Sequence, residues 1–212
     1  MIRDRPVATL PVASGGTGIA ARFAAASRLR ERRLVREAQR GSAEALEQLF
    51  RRHWAGAYRA AWVVMRDAAA AEDIAQEAFI SAVRALDRFD RRRPFAPWLH
   101  RIVVNRAIDA ARSRALRREV DAAAAEDAAA DPPPEPLSDE LTAALAELGP
   151  EHRAVVALRY LLDYTPAEIA RLLDLPRGTV NSRLRRALDR LAELLGEEGR
   201  SKEETRWGED GR

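Results

Sequence analysis

The chain of 212 residues has no cysteine. Disulfides, thiol nucleophiles and cysteine-ligated zinc or iron–sulfur sites are therefore excluded. The three histidines, His53, His100 and His152, stand far apart and not at metal-ligand spacing. The sequence also lacks a G-x-S-x-G elbow and a glycine-rich phosphate loop. These absences predict a protein that is not an enzyme and that holds no metal or cofactor.

Long apolar runs are missing as well. No stretch approaches the roughly 20 apolar residues that span a bilayer. Pro6, Pro11 and Gly15 interrupt the amino terminus, where a secretory signal would need an unbroken apolar core. We therefore expect no membrane insertion and a cytoplasmic location. The hydrophobic content of 47% suffices for one or two small cores, and much of it is alanine, which favours helix.

Charge is unevenly distributed along the chain. The formal net charge is only +3, and every basic residue except Lys202 is an arginine. Eleven arginines stand against three aspartates between Arg84 and Arg118, whereas the segment from Glu119 to Glu140 has eight acids and no base. The basic block is suited to contact with nucleic acid, and the acidic block would be repelled by it.

The apolar pattern predicts an all-α protein. Ser42 can cap a long helix with apolar residues at three- and four-residue spacing, a second helix follows Asp67, and a third begins near Pro94 or Pro97. Two small helical domains joined by a flexible acidic linker, rich in proline and alanine, account for the composition shifts. The expected division is a flexible extension (1–28), a first domain (29–118), the linker (119–139), a second domain (140–195) and a charged tail (196–212).

A helix-turn-helix is predicted in the second domain. Thr165, Pro166 and Glu168 form the start signal of one helix, with a capping box. The next helix has an apolar face that includes Val180 and Leu184. Its other faces carry side chains that can bind phosphates and base edges: Thr179, Asn181, Ser182, Arg183, Arg185 and Arg186. A solvated amphipathic helix in a small bundle is the alternative, and the preceding turn favours DNA binding.

Three segments together resemble one family, the extracytoplasmic-function (ECF) sigma factors of the sigma-70 family. They are EDIAQEAFISAVRALDRFD, PFAPWLHRIVVNRAIDAARSR and LRYLLDYTPAEIARLLDLPRGTVNSRLRRALDRL. They occur in the family's order, and the resemblance covers about Leu34 to Leu195. It implies a specificity subunit of bacterial RNA polymerase that recognises the −10 and −35 promoter elements and directs transcription initiation.

The resemblance also assigns roles to residues of the first domain, called region 2 in this family. Asp73, Gln76 and Glu77 match the surface that docks on the clamp of the polymerase's largest subunit, although a solvated helix face would look the same. The residues that match the reader of the −10 element, in which a base is flipped out of the duplex, are Phe89, Arg91, Arg92, Phe95, Trp98, Asn105 and Arg106. A place in the core is the alternative for the three aromatic residues, whereas Asn105 inside a helix favours function.

By the same resemblance, the second domain, region 4, reads the −35 element with the six polar residues of its helix-turn-helix. The implied partners are core RNA polymerase, through its clamp and the flap of its second-largest subunit, and promoter DNA, with an anti-sigma factor as a possible inhibitor. Two other classes of protein are the alternatives to a sigma factor. One is a helix-turn-helix regulator whose first domain senses a ligand or dimerises. The other is a DNA-directed enzyme with a helical catalytic domain.

Overall fold

The structure, a computed structural model, describes residues 16–120 and 137–196, with side chains for 26–117 and 137–196. These residues form α-helices and no strand, which confirms the predicted all-α class. Most of the predicted linker (119–139) and tail (196–212) lies outside them. The helices are α1 (Gly16–Ala38), α2 (Ala43–Met65), α3 (Ala68–Ala85), α4 (Phe95–Val120), α5 (Asp139–Ala146), α6 (Pro150–Val156), α7 (Pro166–Leu173) and α8 (Arg177–Leu195).

The first domain is a bundle of α1 to α4 with α2 at its centre. The predicted cap of α2 is present, because the Ser42 side chain accepts a hydrogen bond from the N–H of Ala45. Asp67 caps α3 in the same way and accepts from the N–H of Ala70. Trp62 and Leu99 are completely buried in the core between the helices. Removing such large side chains from water is the main stabilising contribution to a bundle of this size.

The first helix begins earlier than the sequence analysis predicted. Residues 16–28 belong to α1, whereas a flexible extension was expected up to residue 28. Alanine and arginine dominate this stretch, and both are good helix formers. Further along α1, Leu34, Val35 and Ala38 are buried in the core, and α1 packs against α2. The rest of the predicted extension, residues 1–15, lies outside the described residues.

The second domain contains α5 to α8, with a π-helical turn (Ala157–Leu161) between α6 and α7. Thr165 and Glu168 form the predicted capping box at the start of α7. α7 ends at Asp174, which adopts a left-handed conformation with φ 56° and turns the chain towards α8. Four apolar residues hold α8 in the domain core: Val180, Leu184, Ala187 and Leu191. The helix-turn-helix predicted from sequence is therefore built as expected.

The two domains are in contact. α6 and the π-helical turn pack against α2, and both α6 and α7 pack against α4. Across this boundary Arg112 of α4 forms an ion pair with Glu151 of α6. Gly56 of α2 lies so close to the second domain that a Cβ atom there would stand 3.4 Å from both Leu162 Cδ2 and His100 Nε2. A side chain that extends beyond Cβ would therefore overlap with these atoms while the domains are packed together, which we call the closed arrangement.

Candidate nucleic-acid interface

The second helix of the helix-turn-helix, α8, presents the predicted DNA-reading residues on its outer side. Asn181, Arg185 and Arg186 are exposed, whereas Thr179, Ser182 and Arg183 are half-buried. The hydroxyl of Ser182 donates a hydrogen bond to the backbone oxygen of Thr179 at 3.0 Å. The hydroxyl proton of Ser182 is thus already used in this hydrogen bond, but its oxygen can still accept a hydrogen bond from a donor group of DNA.

The arginines of α8 also create a positive field over α6. Burial lowers the pKa of His152, and the positive charges of Arg183 and Arg186 lower it further against the opposing effect of Glu151. His152 is therefore neutral at physiological pH and adds no charge of its own. Excess arginine on one helix face provides the electrostatic attraction that phosphate binding requires.

Three aromatic residues form a cluster at the base of the loop between the 3₁₀ turn (Leu86–Arg88) and α4. We call residues 89–94 the basic loop, because they include Arg91, Arg92 and Arg93. Phe89 lies 4.5 Å from Trp98 and 5.9 Å from Phe95, measured between ring centroids, and Phe95 lies 5.5 Å from Trp98. Phe89 and Phe95 are buried, and Trp98 is half-buried. Phe89 and Phe95 are thus part of the core in this structure, the alternative left open from the sequence.

Three polar residues predicted near the −10 element are exposed. Arg91 and Arg92 lie on the loop between α3 and α4, and Asn105 lies on the outer face of α4. The amide of Asn105 has both a donor and an acceptor for a base edge. At the positions predicted for −10 recognition, the first domain therefore exposes two arginines and one amide, while two of the three aromatic candidates are buried.

Arg106 differs from the other candidates because its guanidinium is already bound within the domain. Nη1 lies 2.8 Å from Glu77 Oε2 and Nη2 lies 2.7 Å from Ser81 Oγ, so Arg106 links α4 to α3. The sequence analysis assigned Arg106 to DNA and Glu77 to polymerase. The structure brings these two residues together as one ion pair.

The predicted polymerase-docking residues share the outer face of α3. Asp73, Gln76 and Glu77 are all exposed, and the Gln76 side chain donates a hydrogen bond to Glu72 Oε1 at 3.1 Å. This face is acidic, and its Glu77 lies 2.8 Å from Arg106 of α4. The domain therefore has an acidic side on α3 and a basic side on the loop and α4.

Sequence reasoning missed the residues of α1 and its end that contact the basic loop. Gln39, Glu31 and Arg32 form hydrogen bonds with the loop or with the first residue of α4. They lie 47 to 64 positions away in sequence from their partners. No local pattern indicates such contacts, and only the packing of the bundle brings them together.

Within the described residues no cluster of three or more histidine or acidic side chains could hold a metal ion. Over the same part of the chain, none of the helices combines the length and the apolar character needed to cross a membrane.

Comparison with known proteins identifies the two domains. Residues 49–117 match the family model for Sigma-70 region 2, and residues 138–191 match the model for Sigma-70, region 4. The chain is 35% identical over 164 residues to the RNA polymerase sigma factor CarQ of Myxococcus xanthus, covering 74% of this chain and 92% of CarQ. It is 37% identical over 171 residues to the ECF RNA polymerase sigma factor SigM of Mycobacterium tuberculosis, covering 74% and 80%.

A solved structure has a similar fold. CnrH, determined in complex with the cytosolic domain of CnrY, superposes with a TM-score of 0.60 at 30% identity, covering 78% of this chain and 96% of CnrH. Two helical domains with these matches define a polymerase specificity subunit. The chain belongs to the ECF group of the sigma-70 family.

Proposed function

We propose that this protein binds core RNA polymerase through α3 and reads a promoter with its two domains, α4 and the basic loop at the −10 element and α8 at the −35 element. The observation that carries this assignment is the exposure of polar candidates on both domains: Asn105 on α4, and Asn181 and Arg186 on α8. Each lies on a helix whose opposite face is buried in its own core.

Polymerase docking uses the acidic face of α3 in this proposal. Asp73, Gln76 and Glu77 are exposed together on one side of the helix. A basic surface on the clamp of the largest subunit would complement them. The flap of the second-largest subunit is the proposed contact of region 4. An anti-sigma factor stays a prediction from the family resemblance.

Promoter opening is assigned to the first domain. A base that leaves the duplex loses stacking energy of a few kcal/mol, which protein contacts must replace. Asn105 offers hydrogen bonds to a base edge, and Arg91 and Arg92 offer charge to the neighbouring phosphates. Trp98, which is half-buried, is the aromatic candidate with an exposed part that could stack on the base.

The closed arrangement of the domains has to open for this function. By their names, the −10 and −35 elements lie about 25 base pairs apart, or roughly 85 Å along B-DNA at about 3.4 Å per base pair. In the structure α4 and α6 are joined by the pair of Arg112 and Glu151, and the proposal requires this contact to break so that each domain can reach its own element. The 18 residues between α4 and α5 would span up to about 63 Å when extended, at about 3.5 Å per residue.

We propose further that the protein has no catalytic activity of its own and acts in the cytoplasm with the polymerase. The nucleotide chemistry belongs to the core enzyme. Run-off transcription with purified core polymerase on fragmented bacterial DNA tests the proposal. We expect specific starts that depend on the added protein. A ligand-sensing regulator or a DNA-directed enzyme would give no such starts with core polymerase alone, and that result would contradict the assignment.

A further inference from the structure

The basic loop between α3 and α4 is held in place by α1 and by Gln39, the residue directly after α1. The loop is bounded by the 3₁₀ turn at Leu86–Arg88 and by Phe95, the first residue of α4. Hydrogen bonds from the α1 region reach its start, its middle and its end. The conformation of the loop is therefore not set by its own sequence alone.

Gln39, which lies just after α1, fixes the start of the loop. Its side-chain Nε2 donates to the backbone oxygens of Leu86 and Phe89, each at 2.9 Å. The Leu86 carbonyl also accepts the N–H of Phe89 at 3.0 Å, which closes the 3₁₀ turn, and a carbonyl oxygen has a second lone pair for the Gln39 amide. Because both partners are acceptors, the amide must present its nitrogen to them, and both of its hydrogens are used. The orientation of Gln39 is thereby fixed.

Glu31 fixes the end of the loop. Its Oε1 accepts a hydrogen bond from the backbone N–H of Phe95 at 2.9 Å. This N–H begins α4 and has no partner inside the helix, and a negative charge is favourable at that end. Burial opposes ionisation of Glu31, but His53, the Phe95 N–H and Arg52 together lower its pKa. The carboxylate is therefore charged at neutral pH and holds the start of α4.

The middle of the loop is held in two ways. Arg32 Nη2 donates to the backbone oxygen of Arg92 at 3.3 Å. Asp90 Oδ1 accepts from the N–H of Arg92 at 2.9 Å, and the backbone oxygen of Asp90 accepts from Arg93 at 2.9 Å. The loop backbone is thus constrained at Arg92 while the side chains of Arg91 and Arg92 are exposed.

We infer that Gln39 and Glu31 are positioning residues for −10 recognition, which hold the loop so that Arg91, Arg92 and Trp98 face the displaced strand in one arrangement. This inference rests on the proposed function, since it assumes that the loop contacts the −10 element. Contacts that are preorganised cost less conformational entropy when DNA binds. A loop released from α1 would still be basic and would still bind phosphate, but it would discriminate bases less well.

Three variants test the role of Gln39. Gln39→Met keeps the length of the side chain and removes both donors, whereas Gln39→Lys restores a donor group that can reach the two carbonyls. Gln48→Met is the matched control, because Gln48 is half-buried on α2 and lines a groove between α1 and α2. Each protein is assembled with core polymerase, and a randomised single-stranded DNA pool is selected for binding and sequenced.

We expect wild type, Gln48→Met and Gln39→Lys to enrich the same sequence. Gln39→Met should enrich that sequence about tenfold less than wild type, which is the effect of losing one good base contact. Its total binding of the pool and its yield of holoenzyme should equal those of wild type. Unchanged enrichment in Gln39→Met would overturn the inference. A loss of enrichment that Gln39→Lys does not restore would also overturn it. The same holds for a loss of enrichment that is matched by an equal loss of holoenzyme, because either result indicates a purely structural role.

The proposed function can fail separately in the same experiment. If the wild-type holoenzyme enriches no sequence, or if Asn105→Ala with Arg91→Ala and Arg92→Ala enriches as well as wild type, the loop and α4 do not read the −10 element. If those changes abolish enrichment while Gln39→Met has no effect, the reader is correctly assigned and only the positioning role is wrong.

Discussion

His100 of α4 and Tyr164, which precedes α7, are joined across the domain boundary by a hydrogen bond of 2.8 Å between Nδ1 and Oη. Burial raises the pKa of Tyr164, so the hydroxyl keeps its proton and donates. Burial, with a smaller effect of His53, lowers the pKa of His100 to about 4, so the imidazole is neutral and accepts. Protonation of His100 would place a positive charge in this buried site, so the closed arrangement is more stable while His100 is uncharged.

The closed protein should lose stability in mild acid. The unfolded chain takes up a proton on His100 below a pKa of 6.5, whereas the folded chain does so only near 4. The unfolded state thus binds more protons between these values, and the free energy of unfolding falls as the pH falls from 6.5 to 4, by roughly 3 kcal/mol from this group. Thermal unfolding at a series of pH values measures the loss.

Other groups with lowered pKa values, such as Glu31 and His152, also destabilise the fold in acid. The comparison that isolates His100 uses His100→Gln, which can accept from Tyr164 and does not titrate. Its stability should decrease less with acid than that of wild type. Parallel pH profiles for the two proteins would show that His100 does not carry the effect.

A large side chain at position 56 should separate the domains. A Cβ atom on Gly56 already lies 3.4 Å from His100 Nε2 and Leu162 Cδ2, so the branched side chain of Gly56→Leu would overlap with both partners. We expect a larger radius of gyration by small-angle X-ray scattering, with helix content unchanged. Ala55→Leu, at an exposed neighbouring position, is the control. A radius equal to that of wild type would mean that the domains do not pack in this way in solution.

Arg186→Ala should weaken binding to the −35 element. Arg186 is exposed on α8. If it forms a bidentate contact with a base, its removal costs about 1–3 kcal/mol and relaxes sequence preference at one position. If it contacts only phosphate, binding weakens for all sequences and the salt dependence decreases. Titrations of the selected promoter at several salt concentrations distinguish the two.

The control for Arg186 is Arg190→Ala, one turn further along α8. Arg190 pairs with Glu193 at 3.1 Å on the exposed surface, and such pairs contribute little to stability. We expect the DNA affinity of Arg190→Ala to stay close to that of wild type. Equal losses for both variants would indicate general electrostatic attraction rather than a specific contact of Arg186.

Glu77→Lys should reduce binding to core polymerase. The change replaces one negative charge of the docking face with a positive charge. It also places that charge beside Arg106, whose Nη1 lies 2.8 Å from Glu77 Oε2 in the wild-type protein. Co-purification with core polymerase measures the effect, which we expect to be at least tenfold, about 1.4 kcal/mol. Glu47→Lys, which disrupts an exposed pair with Arg51, serves as the matched charge reversal.

Arg106→Gln separates the two consequences of Glu77→Lys. It breaks the ion pair and leaves the carboxylate of Glu77 in place. If Arg106→Gln binds polymerase normally and Glu77→Lys does not, the carboxylate itself docks. If both lose binding equally, Glu77 acts by holding α3 to α4, and its assignment to the docking surface is wrong.

Asn105→Ala should impair promoter melting and spare duplex binding by the second domain. Asn105 is exposed, so its loss removes hydrogen bonds to a flipped base without leaving a cavity. Permanganate reactivity of thymines near the start site should fall, while binding to a −35 duplex stays the same. Asp109→Ala, at an exposed position one turn further along α4, provides the comparison. Normal reactivity in Asn105→Ala would remove this residue from the reader.

Local signals in the sequence predicted much of the fold. Ser42, Asp67 and the box of Thr165 with Glu168 each cap the helix that follows them. A cap acts over three or four residues, so the sequence contains both partners of each interaction. The spacing of Val180 and Leu184 likewise predicted which face of α8 is buried. The sequence also suggested that the exposed faces of α3 and α8 carry the candidate functional residues.

The contacts between distant segments were decided by the tertiary structure alone. The burial of Phe89 and Phe95, the ion pair of Glu77 with Arg106 and the bonds of Gln39 to the loop all join residues whose proximity depends on how the helices pack. Periodicity describes one helix at a time and gives no information about which helix lies against it. The sequence by itself therefore determined the helices, their caps and their polar faces, and the packing of the bundle determined which of those polar groups are free to meet DNA and polymerase.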